Sequence, residues 1–423
     1  VSDFTRSYRA LRTPDFRRLW TGATLSTLGD GMTFVALSWL VLARPGGTTQ
    51  LGLLGVCYTA PVLVGGLAVG PVLDRFDKRT VLMVDSGFRA AVVATIPLTV
   101  ALGAMPTWLP FVVAGCYGLL KMVPLAGFPA AIPQLVADHD LDSVNALESL
   151  SFSVASVVGP AAAGVLISQI GAANVLIVDS VSFLLFALTA RTVRRPLRPL
   201  RPLRPQRPLA NADGLGGQVP APPRSAALAS LRGDRVIVAT TLAFMAFNIA
   251  EGMLMVAAPW LAKNHLPGGA GVLGALLSAT AAGEMVGAAL AGHRQPRRRL
   301  PAIGLLQILA GTAFLALLVT SQHLVVIAGF FAVGMLSAPM TVWAQSLRMR
   351  RIAPALHGRA FAALRTLMQS TPPIGTALVT PLLVHSQLAI AAVVMAAVAG
   401  LPGLYLLFAV SEESPTRAVA TAT

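Results

Sequence analysis

Twelve apolar stretches run along this chain, separated by shorter polar or Pro/Gly-containing turns: residues 19–43, 51–73, 80–103, 108–131, 144–169, 172–191, 236–262, 271–292, 300–320, 324–346, 360–384 and 387–410. A helix needs roughly 20 apolar residues to cross a hydrocarbon core about 30 Å thick, so each stretch reads as one crossing. The pattern predicts an all-α integral membrane protein of twelve transmembrane helices. An even number of crossings returns both termini to the same side of the membrane.

Composition sharpens this. Hydrophobic residues make up 55% of the 423 residues and charged residues 12%, about half the charged share of a soluble domain. An ordinary soluble enzyme is excluded. The net charge of +15 would suit nucleic-acid binding if the charge lay on one surface, but it does not. The loops on one side hold 27 Lys and Arg, and those on the other hold only Arg44 and Lys263. Basic loops mark the cytoplasmic side, so both termini are expected in the cytoplasm and the basic residues at lipid headgroups, with no nucleic-acid partner. The expected location is the cytoplasmic cell membrane. One loop on the basic side breaks the pattern, carrying Asp138, Asp140 and Asp142 with no Lys or Arg. Arg6, Arg9, Arg12, Arg17 and Arg18 precede the first span with no small-residue cleavage site after it, so that span is expected to stay as an anchor. Cys57 and Cys116 lie inside apolar runs and read as small core residues rather than a disulfide framework.

Residues 192–235 divide the spans six and six, giving halves at 1–191 and 236–423. This segment holds five Arg-Pro-x triplets from Arg195 to Leu209. Consecutive X-Pro bonds exclude helix and favour an extended chain. A solvated linker near anionic lipid is the simpler interpretation; a Pro-rich docking site for a partner is the alternative.

The halves repeat one another. Asp30-Gly31-Met32, Val35-Ala36 and Trp39-Leu40 in the first span return with identical spacing as Glu251-Gly252-Met253, Val256-Ala257 and Trp260-Leu261 in the seventh. Gly66 and Gly70 in the second span match Gly283 and Gly287 in the eighth, and Gly159-Pro160 in the fifth matches Pro372-Pro373 in the eleventh. Three matches in order argue for two parallel six-helix repeats. In transporters built this way the substrate site lies between the repeats near the bilayer midplane.

These residues resemble the major facilitator superfamily, and within it the drug/siderophore exporter branch with enterobactin-exporter-like and macrolide-efflux-like members. The loop signature after the second helix is similar to Gly70-Pro71-Val72-Leu73-Asp74-Arg75-Phe76-Asp77-Lys78-Arg79, with Asp77 where many members have Gly. The antiporter signature of the fifth helix resembles Ala155 to Gly164, including Gly159, Pro160 and Gly164, with alanines replacing two usual glycines. Leu28-Gly29-Asp30, Phe128-Pro129-Ala130, Asn145-Ala146-Leu147 and His357-Gly358-Arg359 extend the resemblance over nearly the whole chain. It implies the major facilitator fold and the export direction. It also implies a cytoplasmic charge-relay latch of Asp74, Arg75, Arg79, Asp85 and Arg89, which would hold the outward-facing state by ion pairs with the second half.

Charges inside the spans carry the candidate chemistry, because each costs at least about 2.5–3.5 kcal/mol to place at the bilayer centre. Asp30 lies 11 residues past Leu19, about 16 Å at 1.5 Å per residue, which is mid-membrane. Low dielectric penalises a carboxylate's charged form, so an acid there can exchange a proton. Its alternative role is a hydrogen-bond partner at a helix crossing beside Gly29 and Gly31. Glu251, in the repeat-equivalent position, is expected to face Asp30 across a central cavity. Glu284 in the eighth span is a third candidate, and Asp179 in the sixth a weaker one. Lys121 in the fourth span either pairs with one of these acids or meets an anionic substrate. Asp85 and Arg89 sit one helical turn apart, a spacing that supports an ion pair. Gly159-Pro160 and Pro372-Pro373 are expected to let their helices bend, with Arg365 and Gln369 serving gating or inner packing.

No G-x-x-x-x-G-K-[ST] phosphate loop is present, so the chain is not expected to be powered by ATP. No metal-ligand spacing, nucleophile motif or cofactor motif appears either. The expectation is a non-enzymatic secondary transporter working as a monomer in the bilayer. It would export a small amphiphilic compound in exchange for protons by alternating access, with the proton gradient as the energy source. Facilitated diffusion or symport uptake on the same fold, and a non-transporting scaffold or sensor, stay open.

Overall fold

The computed structural model describes residues 11–195, 197, 233–293, 296–352 and 357–408. Most of the Arg-Pro linker, the first ten residues and Arg417 lie outside the described residues, as do the side chains of 357–359. Among the described residues the secondary structure is helical throughout. The helices are α1 (Pro14–Leu42), α2 (Gly47–Arg75), α3 (Lys78–Ala101), α4 (Leu109–Leu135), α5 (Leu141–Ile170) and α6 (Ala172–Thr192). Then come α7 (Arg235–Asn264), α8 (Gly269–His293), α9 (Arg299–Leu318), α10 (His323–Arg351), α11 (His357–Gln369), α12 (Pro372–Val384) and α13 (Leu388–Phe408).

Eleven of these are long and apolar enough to cross a membrane. The twelfth expected crossing is divided between α11 and α12, each of 13 residues. The break falls at Ser370-Thr371, before Pro372-Pro373. Two successive residues without an N–H deprive the preceding turn of its donors, and each ring crowds the carbonyl four residues back. α5 behaves differently. It runs unbroken for 30 residues through Pro160.

Short turns make successive helices antiparallel, so the bundle has two ends. At the basic end the start of α1 meets the end of α6, with Arg195 N–H donating to Asp15 Oδ2 at 3.1 Å. There too Arg351 pairs with Asp234 at 3.0 Å, tying the end of α10 to the start of α7. Asp77 caps α3 by accepting from the Arg79 and Thr80 N–H groups, which gives a physical role to the residue that departs from the family's loop signature. The opposite, weakly charged end carries Arg44 and Lys263.

The two sets of six crossings touch most closely near this weakly charged end. A Cβ built on Gly274 would lie 2.4 Å from Pro160 O and 3.2 Å from Gly164 Cα, so α5 and α8 approach at backbone distance. Small residues permit such crossings between membrane helices. On its other side α5 packs against α1, where a Cβ on Gly159 would lie 3.0 Å from Gly31 Cα. Ser278 Oγ donates to Val157 O at 2.5 Å across the same seam. Gly52 and Gly55 of α2 receive Thr380 and Thr376 of α12, and Lys263 Nζ donates to the Leu42 carbonyl at the end of α1.

Candidate functional site

Asp30 lies 16 residues into α1, and Glu251 the same distance into α7. Both positions open onto cavities in the half of the bundle nearer the basic end. The first cavity, about 200 Å³, is lined by Asp30, Tyr58, Tyr117, Lys121, Glu148 and Phe152, among others. The second, about 380 Å³, is lined by Phe152, Phe244, Asn248, Glu251 and Glu284, among others. Phe152 and Ser156 of α5 belong to both linings. Asp30 lines the first and Glu251 the second, and the two cavities adjoin along α5 through Phe152 and Ser156.

The surroundings of Asp30 are built by four helices. Arg89 Nη1 of α3 donates to Asp30 Oδ1 at 2.9 Å, and Tyr117 Oη of α4 donates to the same oxygen at 2.5 Å. The other side of the guanidinium faces Asp85, with Nε 3.5 Å from Oδ2. Phe183 of α6 and Tyr117 cover Arg89 at 4.2 and 5.1 Å from their ring centroids. Weakly hydrated guanidinium tolerates such aromatic contact better than an ammonium does. Side-chain exposure is 2% for Arg89 and 3% for Asp85, but 26% for Asp30. Asp30 is thus the member of this triad that meets the cavity. Tyr58 stacks on Tyr117 with centroids 5.0 Å apart.

Lys121 stands where the helical hydrogen bonding of α4 is interrupted. Pro124 lacks the N–H that would bond the Leu120 carbonyl, so the break is written into the sequence. Lys121 Nζ lies 5.5 Å from the Tyr58 ring centroid. Among the described residues it forms no ion pair, so the expected pairing with an acid is not made. Glu251 and Glu284 share the second cavity and likewise have no ion-pair partner among the described residues. Asn248 Nδ2 donates to Met368 O at 3.0 Å, fixing that wall to α11.

The latch expected from the family resemblance is divided. Asp74 and Arg75 are exposed at the end of α2, and Arg79 sits in the first turn of α3. None of the three forms an ion pair among the described residues. Asp85 and Arg89 do not join them. They sit about two and three turns beyond Arg79 along α3, and the guanidinium pairs with Asp30 of α1. Arg365 and Gln369 line a third cavity of about 510 Å³ with Gly66 and Gly70 of α2. Arg365 Nη2 lies 3.6 Å from Met122 Sδ, a contact between the two sets of helices nearer the basic end.

Asp179 is fully buried. It accepts from Thr33 Oγ1 and, at 3.3 Å, from Ser182 Oγ, with Gly29 packed against it. That makes it a structural acid of the α1–α6 seam. Gly159, Pro160 and Gly164 likewise contribute backbone proximity rather than a polar group. Sequence reasoning passed over Tyr58, Tyr117, Phe152 and Asn248. Tyrosine in membrane proteins concentrates at the interfaces, so two tyrosines in mid-span were the available signal.

The model of the Major Facilitator Superfamily matches residues 19–376. The chain belongs to the major facilitator superfamily. Members of this superfamily are transporters rather than enzymes, so the protein is a multi-pass membrane transporter that takes its substrate within the bilayer. Over nearly its full length it is similar to the uncharacterized MFS-type transporter y4rN of Sinorhizobium fredii, with 28% identity covering 91% of this chain and 92% of that protein. It is also 28% identical to the multidrug efflux pump Tap of Mycobacterium tuberculosis, over 38% of this chain and 39% of the pump. The staphyloferrin A transporter of Staphylococcus aureus is 23% identical over 39% of this chain and 42% of that protein. The chain thus aligns with about two fifths of the length of each of these last two relatives. Among solved structures, a mutant of the nucleoside transporter NupG superposes with a TM-score of 0.73 at 10% identity, covering 93% of this chain and 99% of that one. A bacterial homologue of the human lysosomal transporter Spinster, inward-facing and unoccupied, gives 0.64 at 14% identity over 95% of both chains. Identities this low speak for the major facilitator fold alone.

Proposed function

We propose that this transporter exports a small amphiphilic compound from the cytoplasm in exchange for protons. The observation that carries the reading is Asp30. It is a mid-span carboxylate on a cavity wall, about a quarter exposed, held by a buried arginine and a tyrosine. A carboxylate that meets the cavity while paired with a fixed cation can trade its ion pair for a proton or a substrate contact. Position supports access to the site from the cytoplasm. The cavities lie toward the basic end, which the distribution of Lys and Arg assigns to the cytoplasm, and the opposite end is closed by the α5–α8 and α2–α12 seams. The arrangement is that of a carrier open to the cytoplasm. The resemblance to an efflux pump supports the export direction.

The first cavity mixes Asp30 with Lys121, whereas the second holds Glu251 and Glu284 against Phe152, Phe244 and Phe247. Cationic or zwitterionic amphiphiles suit that second wall. In this reading the protein sits in the cytoplasmic membrane with both termini in the cytoplasm and works as a single chain. Its basic loops meet lipid headgroups rather than nucleic acid, since the residues are spread over separate turns.

The experiment is a growth-inhibition panel of antibiotics, dyes and siderophore precursors in an efflux-deficient bacterial host. It compares the wild-type chain with Asp30→Asn and Glu251→Gln at matched membrane expression. Export predicts resistance to at least one compound that the variants lose. Increased sensitivity caused by the wild-type chain would favour uptake instead. Resistance that survives in both variants would remove these acids from the mechanism.

A further inference from the structure

Arg89 has two carboxylates and only one of them opens to the cavity. Asp30 lines the first cavity, while Asp85 lies on the far side of the guanidinium, in the floor of an apolar groove of about 650 Å³ formed by α2, α3 and α4. That groove is walled by Val64, Val84, Phe88 and Leu119, all largely exposed on the lipid-facing surface. Neither oxygen of Asp85 has a hydrogen-bond partner, and neither is accessible. A buried carboxylate without hydrogen bonds is costly unless a cation compensates it, and the cation within reach is Arg89 at 3.5 Å. Asp85 therefore acts through Arg89 and has no access to a substrate in the cavity.

We infer that Asp85 is a positioning residue that divides Arg89 between two carboxylates and so sets how readily Asp30 takes a proton. The inference rests on Asp30 as the proton-exchanging group. With Asp85 charged, the guanidinium serves two anions and holds each less firmly. With Asp85 neutral, Arg89 serves Asp30 alone and holds it more firmly. The other groups facing this centre are Tyr117 on α4 and Asp179 on α6, each toward both Arg89 and Asp30, with Tyr58 on α2 and Lys121 on α4 toward Asp30. None of them contacts Asp85, so a change there reaches Asp30 through the shared guanidinium and through the direct repulsion between the two carboxylates, both acting in the same direction.

The test is an infrared pH titration of the purified full-length protein, following the carbonyl stretch of the protonated Asp30 carboxyl. The band is assigned by its loss in Asp30→Asn, so no substrate is needed. Asp85→Asn is expected to move the midpoint to lower pH by at least about one unit, a tenfold change in proton affinity. Asp85→Glu is expected to restore it most of the way. Thermal unfolding of each variant checks that the fold survives. An unmoved midpoint in folded Asp85→Asn would overturn this inference alone and leave Asp30 as the coupling group. Absence of any titrating Asp30 band in the wild type would overturn both. A shifted midpoint together with export that ignores the proton gradient would keep the triad and refute proton coupling.

Discussion

Replacing Arg89 by methionine removes the cation from between two acids while keeping much of the side-chain volume. At the observed separations of 2.9 and 3.5 Å, and an effective dielectric of about 20, the two attractions come to about 6 and about 5 kcal/mol before desolvation. Asp30 is about a quarter exposed and can recover water from the cavity. Asp85 is 3% exposed with no other partner and cannot. The cost of Arg89→Met should therefore fall mainly on Asp85, at about 3–5 kcal/mol, as for a buried pair broken from one side. Removing the stranded charge as well, in Arg89→Met with Asp85→Asn, should return a large part of that loss. Thermal or denaturant unfolding in detergent of the wild type, both single variants and the double variant completes the cycle. A coupling of about 1–3 kcal/mol is expected, with the double variant more stable than Arg89→Met. If Arg89→Met unfolds like the wild type, or the double variant is weaker still, the triad does not carry the electrostatics described.

Other consequences follow from the seam that closes the weakly charged end. Gly274→Val places a side chain where a Cβ already lies 2.4 Å from Pro160 O, so α5 and α8 must separate; cysteine-labelling from that side should rise and transport should fall. Lys263→Met removes a cation from the carbonyl end of α1, an interaction worth about 0.3–1 kcal/mol, and should raise the population open at that end by roughly two- to fivefold in a spin-label distance measurement. Deleting residues 198–223 should leave transport largely intact if the segment is a linker. Loss of function with normal membrane insertion would point to a docked partner instead.

Much of the fold was legible because the bilayer imposes it. The hydropathy spans and the observed helices agree to within a few residues, and where α10 runs on to Arg351 the extension is charged sequence that hydropathy cannot count. The divided crossing was signalled by Pro372-Pro373. The same reasoning gave no means of distinguishing Pro160, which sits inside an unbroken helix packed against α1 and α8. The site was half legible. Intramembrane charge singled out Asp30, Glu251, Glu284 and Lys121, and all four line cavities. What sequence could not supply was pairing across helices. Asp85 and Arg89 one turn apart suggested a local pair near the membrane surface, while Asp30, 59 positions away, is the closer partner. The repeat relating Asp30 to Glu251 places the two acids on adjoining cavities that share Phe152 and Ser156 of α5.

Proton exchange through Asp30 is the central claim, and everted membrane vesicles test it most directly. A pH gradient is built by respiration in vesicles carrying the wild-type chain or Asp30→Asn, and compounds that gave resistance in the growth panel are added. The account predicts that at least one compound collapses the gradient in wild-type vesicles and does not in Asp30→Asn, and that its accumulation stops when a protonophore is present. Accumulation that continues unchanged with the gradient abolished would contradict it.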